Sequence, residues 1–169
     1  TVYYAGGNVD ISRPDLHATS DSAYMNEGRQ YGRLLRRPQI EGKGERKFIL
    51  RGKAIDLFSK NRLVERVLAV DSAQAVSGDL DLRSDSIDLR MTDNKLSRAY
   101  AWGPSGAHAV SPDRTITADS LDVSMPNQRV SEVHAVRRAY AETSPDSTKL
   151  KSTQRDWLRG DTIVAAFDS

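Results

Sequence analysis

The sequence predicts an all-β chain, a sheet folded over on itself and built from repeated strand units of about 32 residues. Three observations carry this prediction: an apolar octet that recurs along the chain, short runs of β-formers between turn signals, and an odd spacing inside each octet. The octet is clearest in Leu82-Arg-Ser-Asp-Ser-Ile-Asp-Leu89 and Ile116-Thr-Ala-Asp-Ser-Leu-Asp-Val123, which match in character at every position except the Arg83/Thr117 pair. It stands upstream as Leu50-Arg-Gly-Lys-Ala-Ile-Asp-Leu57 and returns as Leu158-Arg-Gly-Asp-Thr-Ile163. A fainter copy is Ala18-Thr-Ser-Asp-Ser-Ala-Tyr24. The fourth residues, Asp21, Lys53, Asp85, Asp119 and Asp161, are separated by 32, 32, 34 and 42 positions. Self-similarity at such a period marks stacked supersecondary units.

In chain order, Val2 to Ile11 is β-branched and aromatic, broken by Gly6-Gly-Asn8 and closed by Pro14, so it reads as an edge strand. Asn26-Glu-Gly28 supplies turn chemistry before Tyr31 to Ile40, and Gly42-Lys-Gly44 forms a flexible tip. From Phe48 each unit has three parts around an Asn-containing turn. An octet is followed by a second strand (Leu63 to Val70, Leu96 to Trp102, Val130 to Val136). A short third segment follows (Ala73 to Val76, Ala107 to Val110, Arg138 to Glu142). No segment sustains a helical period. The polar stretch from Thr143 to Arg155 lengthens the last period and reads as an exposed loop or extended hairpin.

Ile55/Leu57, Ile87/Leu89 and Leu121/Val123 share one parity and line one face. Leu50, Leu82, Ile116 and Leu158 precede that pattern by five positions, which on a flat strand turns them to the other face. A bulge or corner at Gly52, Ser84, Ala118 and Gly160 restores them to the same side. Together with Ile163 these residues form an apolar stripe. If the folded sheet closes, the stripe is core; if one side stays open, it is a groove for acyl chains, with Tyr100, Trp102, Tyr140 and Trp157 at its margins.

Composition limits the function classes. Hydrophobic residues make up 38% of the 169-residue chain, and the net charge of +2 gives no argument for nucleic acid. Nine Lys or Arg residues against two acids lie between Arg29 and Lys53, a solvated face or a rim for an anionic partner. Without cysteine there is no disulfide, thiolate metal site or thiol nucleophile. His17, His108 and His134 have no ligand-spaced partners, and no nucleophile elbow or phosphate loop occurs, so no catalytic residue, metal or cofactor is assigned. An enzyme or carbohydrate-binding solenoid needs a row of convergent polar and aromatic groups that the sequence does not offer.

The phrases Tyr4-Ala-Gly-Gly-Asn-Val9, Ser20-Asp-Ser-Ala-Tyr24, Ala118-Asp-Ser-Leu-Asp-Val123 and Arg129-Val-Ser-Glu-Val-His-Ala135 resemble the OstA-like family of lipopolysaccharide-transport proteins. The resemblance covers nearly the whole chain as one domain, residues 1–169. It implies a twisted open β-jellyroll exported to the periplasm, with the export signal already removed. Its interior (Ile55, Leu57, Ile87, Leu89, Leu121, Val123, Ile163) would shield lipid A acyl chains. Related jellyrolls would join edge to edge into a bridge to the outer membrane. The family brings no catalytic residues. Lys53 in place of the octet Asp and the 143–156 insertion depart from its pattern. They leave open whether this is the soluble bridge, the anchored inner-membrane component or the N-terminal domain of the outer-membrane translocon. Strand edges are the expected assembly surfaces: Val2, Tyr4, Val9 and Ile11 at one end, and Ile163, Val164 and Phe167 at the other. Head-to-tail self-association is then expected, and because the last octet stops in mid-repeat, a longer parent chain is too. The alternative is a structural module that binds protein through its edges and carries no lipid.

Overall fold

A computed structural model describes residues 1–44, 47–143 and 156–167. Most of the polar insertion and part of the basic stretch therefore lie outside the described residues. Among the described residues twelve strands make one antiparallel sheet. They are β1 (Val2–Ser12), β2 (Leu16–Asn26), β3 (Tyr31–Leu35), β4 (Gln39–Gly42), β5 (Phe48–Arg51), β6 (Ala54–Lys60), β7 (Leu63–Ser77), β8 (Leu80–Thr92), β9 (Lys95–Val110), β10 (Arg114–Ser124), β11 (Glu132–Thr143) and β12 (Trp157–Ala166). One turn of 3-10 helix, Pro126–Gln128, precedes β11. The fold is all-β and jellyroll-like, as expected.

The units differ from the three-part reading. The second strand and third segment are one long strand, Leu63–Ser77, Lys95–Val110 or Glu132–Thr143, that bends in the middle. Each bend is a break in pairing register, between Val70/Ala73, Arg83/Ser86, Ala118/Ser120 and Val136/Ala139. The bend divides the sheet into two halves. In one, β2 continues through β4 and β5 to the second half of β7; in the other it continues through β3 and β6 to the first half of β7. The inner faces of both halves belong to one hydrophobic core.

Local chemistry makes the corner. Consecutive left-handed residues sit there on alternate strands: Gly7-Asn8, Arg36-Arg37, Asp71-Ser72 and Arg137-Arg138. Such residues cost energy outside glycine and persist where the surroundings hold them. At the corners after β2, β8 and β10 the octet's fourth residue binds the segment that follows. Asp21 receives Arg37 at 3.0 Å and Asp119 receives Arg138 at 2.7 Å. Asp85 accepts the Ser105 N–H at 2.7 Å. At Lys53, the odd member, the residue's own N–H reaches the Val70 and Asp71 carbonyls at 3.0 and 3.1 Å. The hairpin turns Asn61-Arg62 and Asp93-Asn94 are paired left-handed residues too, the geometry that suits two-residue loops.

Candidate functional site

Alternation along each strand sends every second side chain inward. In the half containing β3 and β6, one inward row crosses nine strands: Ala23, Leu34, Ile55, Ala69, Ile87, Ala101, Leu121, Ala135 and Ile163. All nine are buried. The opposite half carries Ala18, Ile40, Leu50, Ala75, Leu82, Ala109, Ile116, Ala141 and Leu158 in the same way. Large and small side chains alternate across strands, which lets the two faces interdigitate. The stripe residues Ile55, Leu57, Ile87, Leu89, Leu121, Val123 and Ile163 are all inside. The alanines between them carried no signal in the sequence reading, though Ala99/Ala101 and Ala135 have the right parity to be found.

Two expectations need correction. Leu158 has the inward position but is 58% exposed, because among the described residues β12 pairs only with β11 and no strand covers its other flank. The aromatics are not at the margins of an interior groove. Tyr100 and Trp102 alternate with buried Ala99 and Ala101, so they stack on each other on the outer face, ring centroids 5.0 Å apart. Tyr140 alternates with Ala139 and Ala141 in the same way. Trp157 is 65% exposed beside it, and the Arg159 guanidinium lies over both rings. Asp88, also outward, is 6% exposed because Arg66 at 2.8 Å and Arg90 at 3.3 Å fold over it. Asp122 is paired to Arg98 on the same face.

The interior is shut along its middle and open at its N-terminal end. In the middle, Phe48, Leu80, Leu96 and Met125 meet across the two halves and leave a void of about 10 Å³, at the limit of what holds one water. Further along, the Arg114 guanidinium lies 4.8 Å from the Phe167 ring and ties the two tips together. At the N-terminal end a cleft of about 720 Å³ runs between the tips. Met25 and Leu57 form its apolar floor, and Arg13, Glu27, Asn61 and Arg62 its rim. One contact crosses it, Arg13 Nη1 donating to the Arg62 carbonyl at 3.5 Å. The floor is hollow because Gly32 has no side chain; a Cβ there would overlap the Met25 sulfur. On the outer face of the same strands Tyr31 donates to Asp56 at 2.7 Å. Burial first, then that hydrogen bond and the Asp56 charge, raise the Tyr31 pKa above its ordinary value.

Among the described residues no three His, Asp or Glu side chains stand together as a metal site. His17 contacts Asp10 at 2.7 Å and His134 contacts Glu132 at 3.1 Å, both on the outer surface. No described helix is long and apolar enough to cross a membrane.

β1 pairs only with β2, and β12 only with β11, among the described residues. Val2 and Tyr4 are exposed, and Val9 and Ile11 pack against the core. Val164 is exposed, whereas Phe167 packs against the core beyond the end of β12.

No family model matches the chain, and no curated protein matches it. Among solved structures, it is similar to LptH of Pseudomonas aeruginosa, the LptA-homologous periplasmic component of a lipopolysaccharide transport device. Identity is 15%, the TM-score is 0.59, and the match covers 85% of this chain and 93% of that one. The likeness is one of fold.

Proposed function

We propose that this chain is a periplasmic component of lipopolysaccharide transport that shields lipid A acyl chains inside its folded sheet. The observation that carries the reading is the apolar interior, which runs unbroken from β2 to β12 in a fold shared with LptH over most of both chains. A row of inward Leu, Ile and Ala crossing nine strands is a continuous path, and acyl chains need no directional bonds to follow it. The resting interior is closed at its middle, so loading requires the two halves to part. Met91 and Met125 are buried in that region, and flexible thioethers repack at low cost. Open strand edges at β1 and β12 supply the means of joining other jellyrolls into a bridge.

The close packing of the middle favours one second reading, a structural module that joins proteins by its edges and carries no lipid. Mass spectrometry of the protein purified from a lipopolysaccharide-bearing host separates the two. Glycolipid should co-purify, and a photo-crosslinker at Leu89 or Leu121 should capture it while one at outward Asp122 does not. Equal labelling at the two faces, or a lipid-free protein, leaves the structural module.

A further inference from the structure

We propose that Arg13 and Arg62 form a phosphate-reading pair at the mouth of the N-terminal cleft, which selects acylated glycolipids whose head carries a phosphate. The inference rests on the lipid half of the proposed function and names what the interior discriminates. The cleft, about 720 Å³, has the size of a small-molecule site. Its chemistry is divided between an apolar floor of Met25 and Leu57 and a mouth that carries Arg13 and Arg62. The floor does not end at the cleft. Leu57 pairs with Val67 and Val67 with Leu89, so the same inward row runs on into the packed middle. An acyl chain seated over Leu57 has apolar side chains ahead of it, and its head is left between the tips.

The two arginines are held in place but left without a charge partner. Arg13 sits on the turn between β1 and β2, where its N–H donates to the Leu16 carbonyl at 2.9 Å. Lys43 clamps the same turn, donating to Ser12 Oγ at 2.7 Å and to the Arg13 carbonyl at 2.9 Å. Across the cleft, the Arg62 N–H donates to Gln30 Oε1 at 2.9 Å, which fixes the turn between β6 and β7. Among the described residues neither guanidinium stands in an ion pair. On the outer face of the same half, by contrast, Arg33, Arg66, Arg90 and Arg98 are all matched to aspartates. The Arg13 side chain donates to the Arg62 carbonyl at 3.5 Å, the limit of hydrogen bonding, so releasing it costs little. That contact also brings both residues to one point of the rim. The lining holds a single acid, Glu27, so the mouth keeps a net positive charge. Two guanidinium forks above an apolar floor complement a phosphate with acyl chains attached, because phosphate oxygens accept paired N–H bonds.

Titration calorimetry of the whole chain against lipid A in mild detergent tests the pair. Lipid A with its phosphates should bind about tenfold more tightly than the same lipid dephosphorylated, the worth of one charge-assisted hydrogen bond. Arg13→Gln and Arg62→Gln should each lose about tenfold on the phosphorylated lipid and leave binding of the dephosphorylated one unchanged. Arg36→Gln, at the corner and not at the cleft, should bind both lipids as the wild type does. Inorganic phosphate alone should not displace the lipid, because it has no acyl chains to cover the floor. Equal affinity for the two lipids, or equal losses on both in the arginine variants, overturns the phosphate-reading pair and leaves lipid carriage standing. Displacement by inorganic phosphate overturns it too, since the mouth would then be a plain anion site. A chain that binds neither lipid overturns lipid carriage as well.

Discussion

The middle of the interior and its N-terminal end are built on the same alternation, yet one is shut and the other open. In the middle, Leu82, Leu89, Ile116 and Leu121 are fully buried in the core, and Phe48, Leu80 and Met125 line one small void near the tips. At the N-terminal end the same inward positions hold Met25, Gly32 and Leu57, and the tips carry Arg13, Asn61 and Arg62. The β-pattern sets which side chains point inward. The size of the side chains near the tips sets whether the two halves meet. A transport path that must admit a ligand is expected to yield first where few large groups resist, and that place is the cleft.

Truncations should expose this difference most. Leu121→Ala or Leu89→Ala should cost about 2–5 kcal/mol, because the packed middle cannot collapse around the void. Met25→Ala, at a half-buried floor, should cost about 1 kcal/mol or less. Urea unfolding of the variants is the check, and equal losses at both places would mean the cleft is as tightly packed as the middle.

Glycine substitutions sharpen the contrast. A Cβ at Gly42 meets the Phe48 ring, and one at Gly32 meets the end of Met25. Phe48 is wedged in the core, so Gly42→Ala should cost about 1–3 kcal/mol as overpacking does. The Met25 thioether can swing into the cleft, so Gly32→Ala should cost about 1 kcal/mol or less. Thermal melts of the two variants decide, and a reversed order would place the rigid wall at the wrong end.

The corner is common to both regions, so neutralising it should not tell them apart. Asp21→Asn near the cleft and Asp119→Asn in the middle should each cost about 1 kcal/mol or less, since their arginine partners are exposed. A large loss at one of them alone would show that the corner is not one repeated device.

The smallest effect is a titration. Tyr31 has its pKa raised by burial, then by the Asp56 hydrogen bond and charge. Ionising it costs more in the folded chain than in the unfolded one. Its contribution is complete below the unfolded value near 10 and is lost as pH rises through the folded one. Absorbance titration should show one of the six tyrosines ionising late, and Tyr31→Phe should remove that step. If the late step survives in the variant, Tyr31 is not the tyrosine held back by burial and Asp56.

The sequence by itself determined the all-β class, the inward parity of Ile87/Leu89 and Leu121/Val123, and the corner at Gly52, Ser84 and Ala118. These are local properties: alternation has a period of two, and an odd spacing of apolar residues demands a bend wherever the strand ends up. The outward place of Tyr100, Trp102 and Tyr140 was equally legible from the alanines beside them, and was missed because ring chemistry was weighed ahead of parity. Other features were decided only by the tertiary structure. The burial of Asp88 depends on Arg66, a neighbour on another strand. The exposure of Leu158 depends on β12 having one described neighbour, β11. The partners of Asp21, Asp85 and Asp119 lie 16 to 20 residues further along the chain. Whether the stripe is a groove or a core depends on how Phe48 and Met125 close around one small void and on the contact of Arg114 with Phe167. No local pattern encodes those contacts, because they exist only once the two halves of the sheet have folded together.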